Sequence, residues 1–147
     1  MTLRDSAMYN NVSWLSYCCI LVDLQGENQN IVFDNAVTNL GNAYHPFHGI
    51  FTAPVDGTYL FAVTISGIPD SNDYFAYLDV NGTAVLYFIT HRYEQSSHVA
   101  IVHLKDGNDV SVKNAKADEH ILGKAHTSFS GFLLYKDFDE SVTIFGK

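Results

Sequence analysis

The sequence predicts an all-β fold, and three observations carry that prediction. Apolar residues alternate with period 2 in one run after another. Turn signals recur about every 8–12 residues, and no ten-residue window carries a helical apolar stripe. The turn signals are Gln25-Gly26, Asp56-Gly57, Pro69-Asp70, Asn81-Gly82 and Asp106-Gly107.

The elements follow in chain order. Trp14 to Val22 is an apolar run that could pass for the core of a secretion signal. Arg4 is offset by Asp5, however, and no small-x-small site follows, so the run reads as a strand. From Thr58, the residues Tyr59, Phe61, Val63 and Ile65 fall on one face of a strand. Tyr74, Ala76, Leu78 and Val80 do the same, with Asp79 turned away. Asn81-Gly82 then joins this run to the next, a strong hairpin signal. Ala100, Val102 and Leu104 alternate with Ile101 and His103, and Val110 and Val112 with Ser111 and Lys113. Thr83–Ile89 and Phe129–Tyr135 are apolar on both faces. In an antiparallel sandwich a two-sided strand needs a second cover, most simply another subunit.

Composition narrows the function classes. The 147 residues are 47% apolar and 16% charged, enough to form one ordered domain without staples. Eight Lys and Arg against sixteen Asp and Glu leave a net charge of −8. That charge repels phosphate backbones and anionic membrane surfaces, and no stretch of eighteen or more apolar residues is present, so neither nucleic acid nor membrane insertion is expected. Cys18 and Cys19 are adjacent and fit two buried thiols or an intermolecular bridge, leaving the redox compartment open. Asn11-Val-Ser13 and Asn81-Gly-Thr83 are glycosylation triplets and favour secretion.

From Phe33 the spacing becomes specific. Asn39, Tyr44 and Phe51 follow at fixed intervals, then Gly57-x-Tyr59-x-Phe61. This resembles the signature of the globular head of complement component C1q, with Val63 where that family carries an aromatic. Phe129-Ser-Gly131-Phe132-Leu133-Leu-Tyr135 is similar to the family's closing strand. Asn39-Leu-Gly-Asn-Ala-Tyr44 and Gly49-Ile-Phe-Thr-Ala-Pro54 resemble invertebrate, especially bivalve, members. The resemblance implies a ten-strand jelly-roll sandwich shared with tumour necrosis factor, assembled as a homotrimer. It divides the chain into an N-terminal segment 1–13, a head 14–136 and a C-terminal extension 137–147. With no Gly-X-Y run in the chain, a head-only member is expected. Gly57 is expected to take a turn conformation, and Gly131 to make room for a large neighbour. Tyr59 and Phe61 should point into the core or toward the threefold axis.

Candidate sites are few. His91, Arg92 and Tyr93, with His98 and His103 nearby, suggest a sugar-binding hairpin loop, since aromatic faces stack on pyranose rings. The alternative is an ordinary solvated loop. Lys113, Lys116 and Lys124 form a local basic patch able to hold anionic ligands. His45 and His48 lack further ligands at zinc spacing and read as surface histidines. No cofactor is called for with certainty; calcium is the one candidate, at Asp118 and Glu119. The resemblance places an acidic ligand there, in a loop taken as about Asn114 to His126, although the lysines oppose a cation. No nucleophile elbow or apolar carboxylate pair is present, so no enzyme is expected.

What the resemblance implies is a secreted recognition protein of innate immunity, binding microbial glycans such as mannose-type sugars or lipopolysaccharide. Other trimeric relatives bind cell-surface receptors, and a third alternative is a purely structural trimerisation head.

Overall fold

The computed structural model describes residues 12–24, 26–68, 73–117 and 119–138, with 18–24, 119, 120 and 124 described by backbone alone. Among them are ten strands and no helix: β1 (Ser13–Leu24), β2 (Asn35–Leu40), β3 (Tyr44–His45), β4 (Ile50–Thr52), β5 (Gly57–Ser66), β6 (Tyr74–Val80), β7 (Thr83–Thr90), β8 (Gln95–Leu104), β9 (Asp109–Asn114) and β10 (Glu119–Lys136). They form two five-stranded sheets, β2-β1-β10-β5-β8 and β3-β4-β9-β6-β7, with every pairing antiparallel. The two inner faces enclose one core, as expected of a sandwich.

The period-2 runs place their apolar sets as read. Tyr59, Phe61, Val63 and Ile65 are buried while Thr58, Leu60, Ala62 and Thr64 are half-buried on the other face of β5. Trp14 organises the aromatic centre. It stacks on Phe51 at 4.5 Å, lies parallel to Tyr44 at 5.8 Å and meets Phe129 edge-on at 5.2 Å. Such offset and edge contacts suit the ring quadrupoles. Phe33 joins the same cluster through Phe129.

The hydroxyls of Tyr59 and Tyr44 have partners, while the buried Trp14 Nε1 has none among the described residues. The Tyr59 hydroxyl donates to the Val55 carbonyl at 2.7 Å, and the Tyr44 hydroxyl to the Phe33 carbonyl at 2.8 Å. Burial pushes the Tyr59 phenol up to about 12. The Asn39 side chain donates to the Tyr44 carbonyl at 2.8 Å and accepts the Tyr44 N–H at 3.4 Å. That clasp gives the Asn39–Tyr44 spacing its physical meaning.

Two glycines are fixed by space. A Cβ on Gly131 would press on the Trp14 ring and come within 2.7 Å of the Leu60 carbonyl oxygen. On Gly57 it would come within 2.7 Å of the Tyr135 carbonyl oxygen and 2.9 Å of Leu133 Cδ1. Gly57 has no positive φ, so its role is close approach of β5 to β10 and not a turn conformation.

Three further expectations are corrected, and one is narrowed. Asp79 leaves the core face but is itself buried, because a bulge after Leu78 turns it under the hairpin, where Oδ2 accepts the Gly82 N–H at 3.1 Å. Phe132 and Tyr135, expected in the core or between subunits, lie outside the core: they are 41% and 63% exposed, on the side of the first sheet away from it. The segment expected as a loop up to His126 is strand from Glu119 onward, because its backbone pairs with β1 from Leu24 back to Cys18. Residues 91–94 do not close a hairpin, because β7 belongs to the second sheet and β8 pairs with β5 in the first.

Candidate functional site

The turn 91–94 carries the chain from one sheet to the other across one end of the sandwich. The Glu94 N–H donates to the His91 carbonyl at 3.1 Å, and the Gly67 N–H donates to the Glu94 carbonyl at 2.9 Å. Gly67 passes so close beneath the His91 carbonyl that a Cβ there would collide with it. His91 Nδ1 and Asp73 Oδ1 lie 2.5 Å apart, anchoring the start of the turn to the start of β6. The hydrogen bond to Asp73, then its charge, hold the His91 imidazole above the ordinary histidine value.

Tyr93 sits at the tip with φ of 61° and 76% of its surface exposed. A bulky side chain in the left-handed region is held there by its surroundings, at a cost of about 1–2 kcal/mol. Beside it opens a cavity of about 380 Å³ lined by Ser66, Gly67, Tyr93, Glu94, Gln95, Leu122 and His126. Its floor is tied down. Gln95 Nε2 donates to Ser66 Oγ at 2.9 Å, and Ser66 Oγ donates to the His126 carbonyl at 2.5 Å. Thr127 Oγ1 accepts the Ser66 N–H at 3.1 Å and donates to the Leu122 carbonyl at 2.6 Å. The cavity therefore brings Tyr93, Glu94, Gln95 and His126 together, an aromatic residue among polar ones. That set can stack on a sugar ring and hold its hydroxyls.

The expected site residues separate in space. His91, Arg92 and Tyr93 share this exposed turn. Lys113 lies on β9, where its ammonium donates to Asn30 Oδ1 at 2.7 Å. The Lys116 ammonium stands over the Phe75 ring at 4.2 Å. Neither lysine lines the cavity, and Lys124 lies outside the residues whose side chains are described. Asp118 lies outside the described residues, as do the side chains of Glu119, Cys18 and Cys19. Among the described residues, no three His, Cys, Asp or Glu side chains converge as metal ligands would. His98 packs edge-on against Phe88 at 5.1 Å, and His103 pairs with Asp137 at 2.7 Å. Both lie away from the Tyr93 cavity. Ser66, Gln95, Leu122 and His126 were not singled out by the sequence. They come from three strands, and no local pattern connects them.

Comparison with known proteins places the architecture. The C1q domain family profile matches residues 21–134. Human complement C1q tumor necrosis factor-related protein 3 is 30% identical over 114 residues, covering 75% of this chain and 46% of the relative. Zebrafish Caprin-2 is 29% identical over 114 residues, 75% of this chain and 12% of that protein. The chain thus spans less than half the length of these curated relatives. Among solved structures, the globular domain of zebrafish complement 1qA protein superposes with a TM-score of 0.69 at 17% identity, covering 86% of this chain and 99% of that one. The Eiger TNF of S. frugiperda gives 0.73 at 16% identity, with 89% and 97% covered. Jelly-roll sandwich, aromatic signature and family profile agree, and the chain belongs to the C1q domain family.

Proposed function

We propose that this protein is a secreted, trimeric, non-enzymatic recognition head that binds microbial carbohydrate. The observation that carries the reading is the exposed, left-handed Tyr93 beside a cavity with a hydrogen-bonded polar floor. Residues held in the left-handed region cluster at ligand clamps and active sites. Among the described side chains, the cavity's ionisable groups are Tyr93, Glu94 and His126, and Lys113 and Lys116 lie elsewhere. A neutral glycan of the mannose type therefore suits it better than the phosphates of lipopolysaccharide.

Self-assembly is supported by the outer face of the first sheet. Leu40, Ser13, Phe132, Leu60 and Ile101 form one row across all five strands, and Thr38, Leu15, Ser130, Ala62 and Val99 form the next. Phe132 is 41% and Ile101 65% exposed, so an apolar band crosses the sheet. A band of this kind on a single chain calls for a partner surface, and closed symmetry makes further copies the simplest one. Three weak sugar sites on one assembly would gain avidity on a repetitive surface.

A second reading, binding of a protein receptor, is favoured by Val85, Tyr87 and Ile89, which lie exposed along the edge strand β7. Two measurements test these readings. Light scattering should give roughly 49 kDa, three copies of the 16.4 kDa chain, and Phe132→Glu should lower that mass while the chain stays folded. A glycan array on the trimer should show binding that free monosaccharide competes away and that Tyr93→Ala abolishes. EDTA sensitivity would add calcium to the site. A trimer silent on every glycan would refute the carbohydrate reading and favour the receptor.

A further inference from the structure

We propose that Asn81 is an acceptor for an N-linked glycan, and that the glycan stands at the end of the sandwich opposite the Tyr93 cavity. The triplet Asn81-Gly82-Thr83 occupies the turn between β6 and β7, and all three residues are exposed. Asn81 and Gly82 both have positive φ, 50° and 90°, the signature of a tight two-residue hairpin turn. The backbone of this turn is committed and its side chain is not. The Asn81 N–H donates to the Asp109 carbonyl at 2.8 Å, and the Gly82 N–H donates to Asp79 Oδ2 at 3.1 Å. No described residue holds the Asn81 amide. Nothing lies within 4 Å of a Cβ built on Gly82, so the space above the turn is open.

The second triplet differs. It runs into β1, where Val12 is buried and Ser13 is paired on both sides, to Leu40 and Phe132. A glycan on Asn81 would stand away from the apolar band. β6 begins at Tyr74, beside the His91–Asp73 anchor, and runs the length of the sheet to Val80. The Asn81 turn therefore shares its end with the 105–108 turn and Asp56. A sugar on Asn81 leaves both the cavity and the outer face of the first sheet open.

In the transfer, Asn81 Nδ2 forms a bond to C1 of the reducing N-acetylglucosamine of a lipid-pyrophosphate-linked oligosaccharide. The C1–O bond to the pyrophosphate breaks, the electron pair leaves with the pyrophosphate, and the amide loses one proton. The inference rests on the secretory route proposed above, and its readout is mass rather than ligand binding, so the two can fail separately.

The test uses the full chain carried into the medium of eukaryotic cells by an appended leader. The secreted protein is treated with peptide-N-glycosidase in heavy-oxygen water and digested for mass spectrometry. The peptide holding residue 81 should carry Asp labelled with heavy oxygen. Thr83→Ser should keep the modification, and Thr83→Ala should lose it without loss of secretion. Secreted protein in which Asn81 is unmodified would overturn the assignment. Light scattering should give the same number of protomers for the glycosylated chain and for Thr83→Ala; a change in assembly would overturn the placement.

Discussion

Replacing Gly131 with alanine should break the centre of the fold, and the size of the effect follows from geometry. Residue 131 lies mid-strand in β10, paired with Trp14 of β1 on one side and Phe61 of β5 on the other. An added Cβ would stand 2.7 Å from the Leu60 carbonyl oxygen, about 0.7 Å inside the ordinary limit of 3.4 Å. The second obstacle is the Trp14 ring, which its stack on Phe51 at 4.5 Å and its contacts with Tyr44 and Phe129 hold in place. Neither backbone nor ring can yield cheaply. Overpacking costs about 1–3 kcal/mol, and two rigid neighbours argue for about 2–3 here. Trp14 is the single tryptophan, so its fluorescence reports this site directly. Urea unfolding at fixed protomer concentration should show the midpoint fall by about 1 M or more. Gly82→Ala separates space from conformation. It meets nothing within 4 Å but has φ of 90°, so its cost of about 1 kcal/mol comes from the backbone alone. A loss below about 0.5 kcal/mol for Gly131→Ala would refute the claim that Trp14 and β5 close on this position.

Other outcomes follow from the same structure. Phe61→Ala should cost about 3–5 kcal/mol, since a fully buried ring in contact with Trp14, Phe51 and Tyr59 leaves a cavity; chemical denaturation checks it. Tyr93→Gly should raise stability by about 0.5–1 kcal/mol by relieving the left-handed backbone, while sugar binding is lost. A Tyr93→Gly protein that binds glycans normally would remove Tyr93 from the site. His91 should titrate above the ordinary imidazole value in NMR, and Asp73→Asn should bring it back down. Because its folded value is raised, the pair's contribution is full below the unfolded histidine value and is lost as pH rises through the folded one. Tyr59 titrates at about 12, so its hydroxyl resists ionisation while the chain is folded. The linked stability is present below about pH 10 and falls as pH rises toward 12, which alkaline unfolding followed by tyrosinate absorbance would show.

Period 2 in residues 59–65 and 74–78, the Asn81-Gly82 hairpin and the spaced aromatics were all legible in the sequence. Each is a local rule: alternation decides which side chains face the core, and two residues with positive φ suffice for a tight turn. The family also followed from the sequence, because the spaced aromatics build one cluster: Tyr44, Phe51 and Phe61 meet Trp14, Phe33 joins through Phe129, and Tyr59 joins through Phe51 and Phe61. Sheet membership was not legible. Nothing in residues 91–94 says that β8 leaves β7 for β5, because strand pairing is decided by partners far away in the chain. For the same reason the sequence did not show that β10 starts as early as Glu119, nor whether Phe132 and Tyr135 face the core or the outer side of the sheet. The site divides along the same line. Tyr93 stood out as an aromatic in a polar turn. The cavity beside it exists only because Ser66, Gln95, Leu122 and His126 reach one end of the sandwich from three strands. The sequence by itself determined the faces of the strands and the family to which they belong. Only the tertiary structure decided which ends meet, because packing two sheets joins residues that no local period relates.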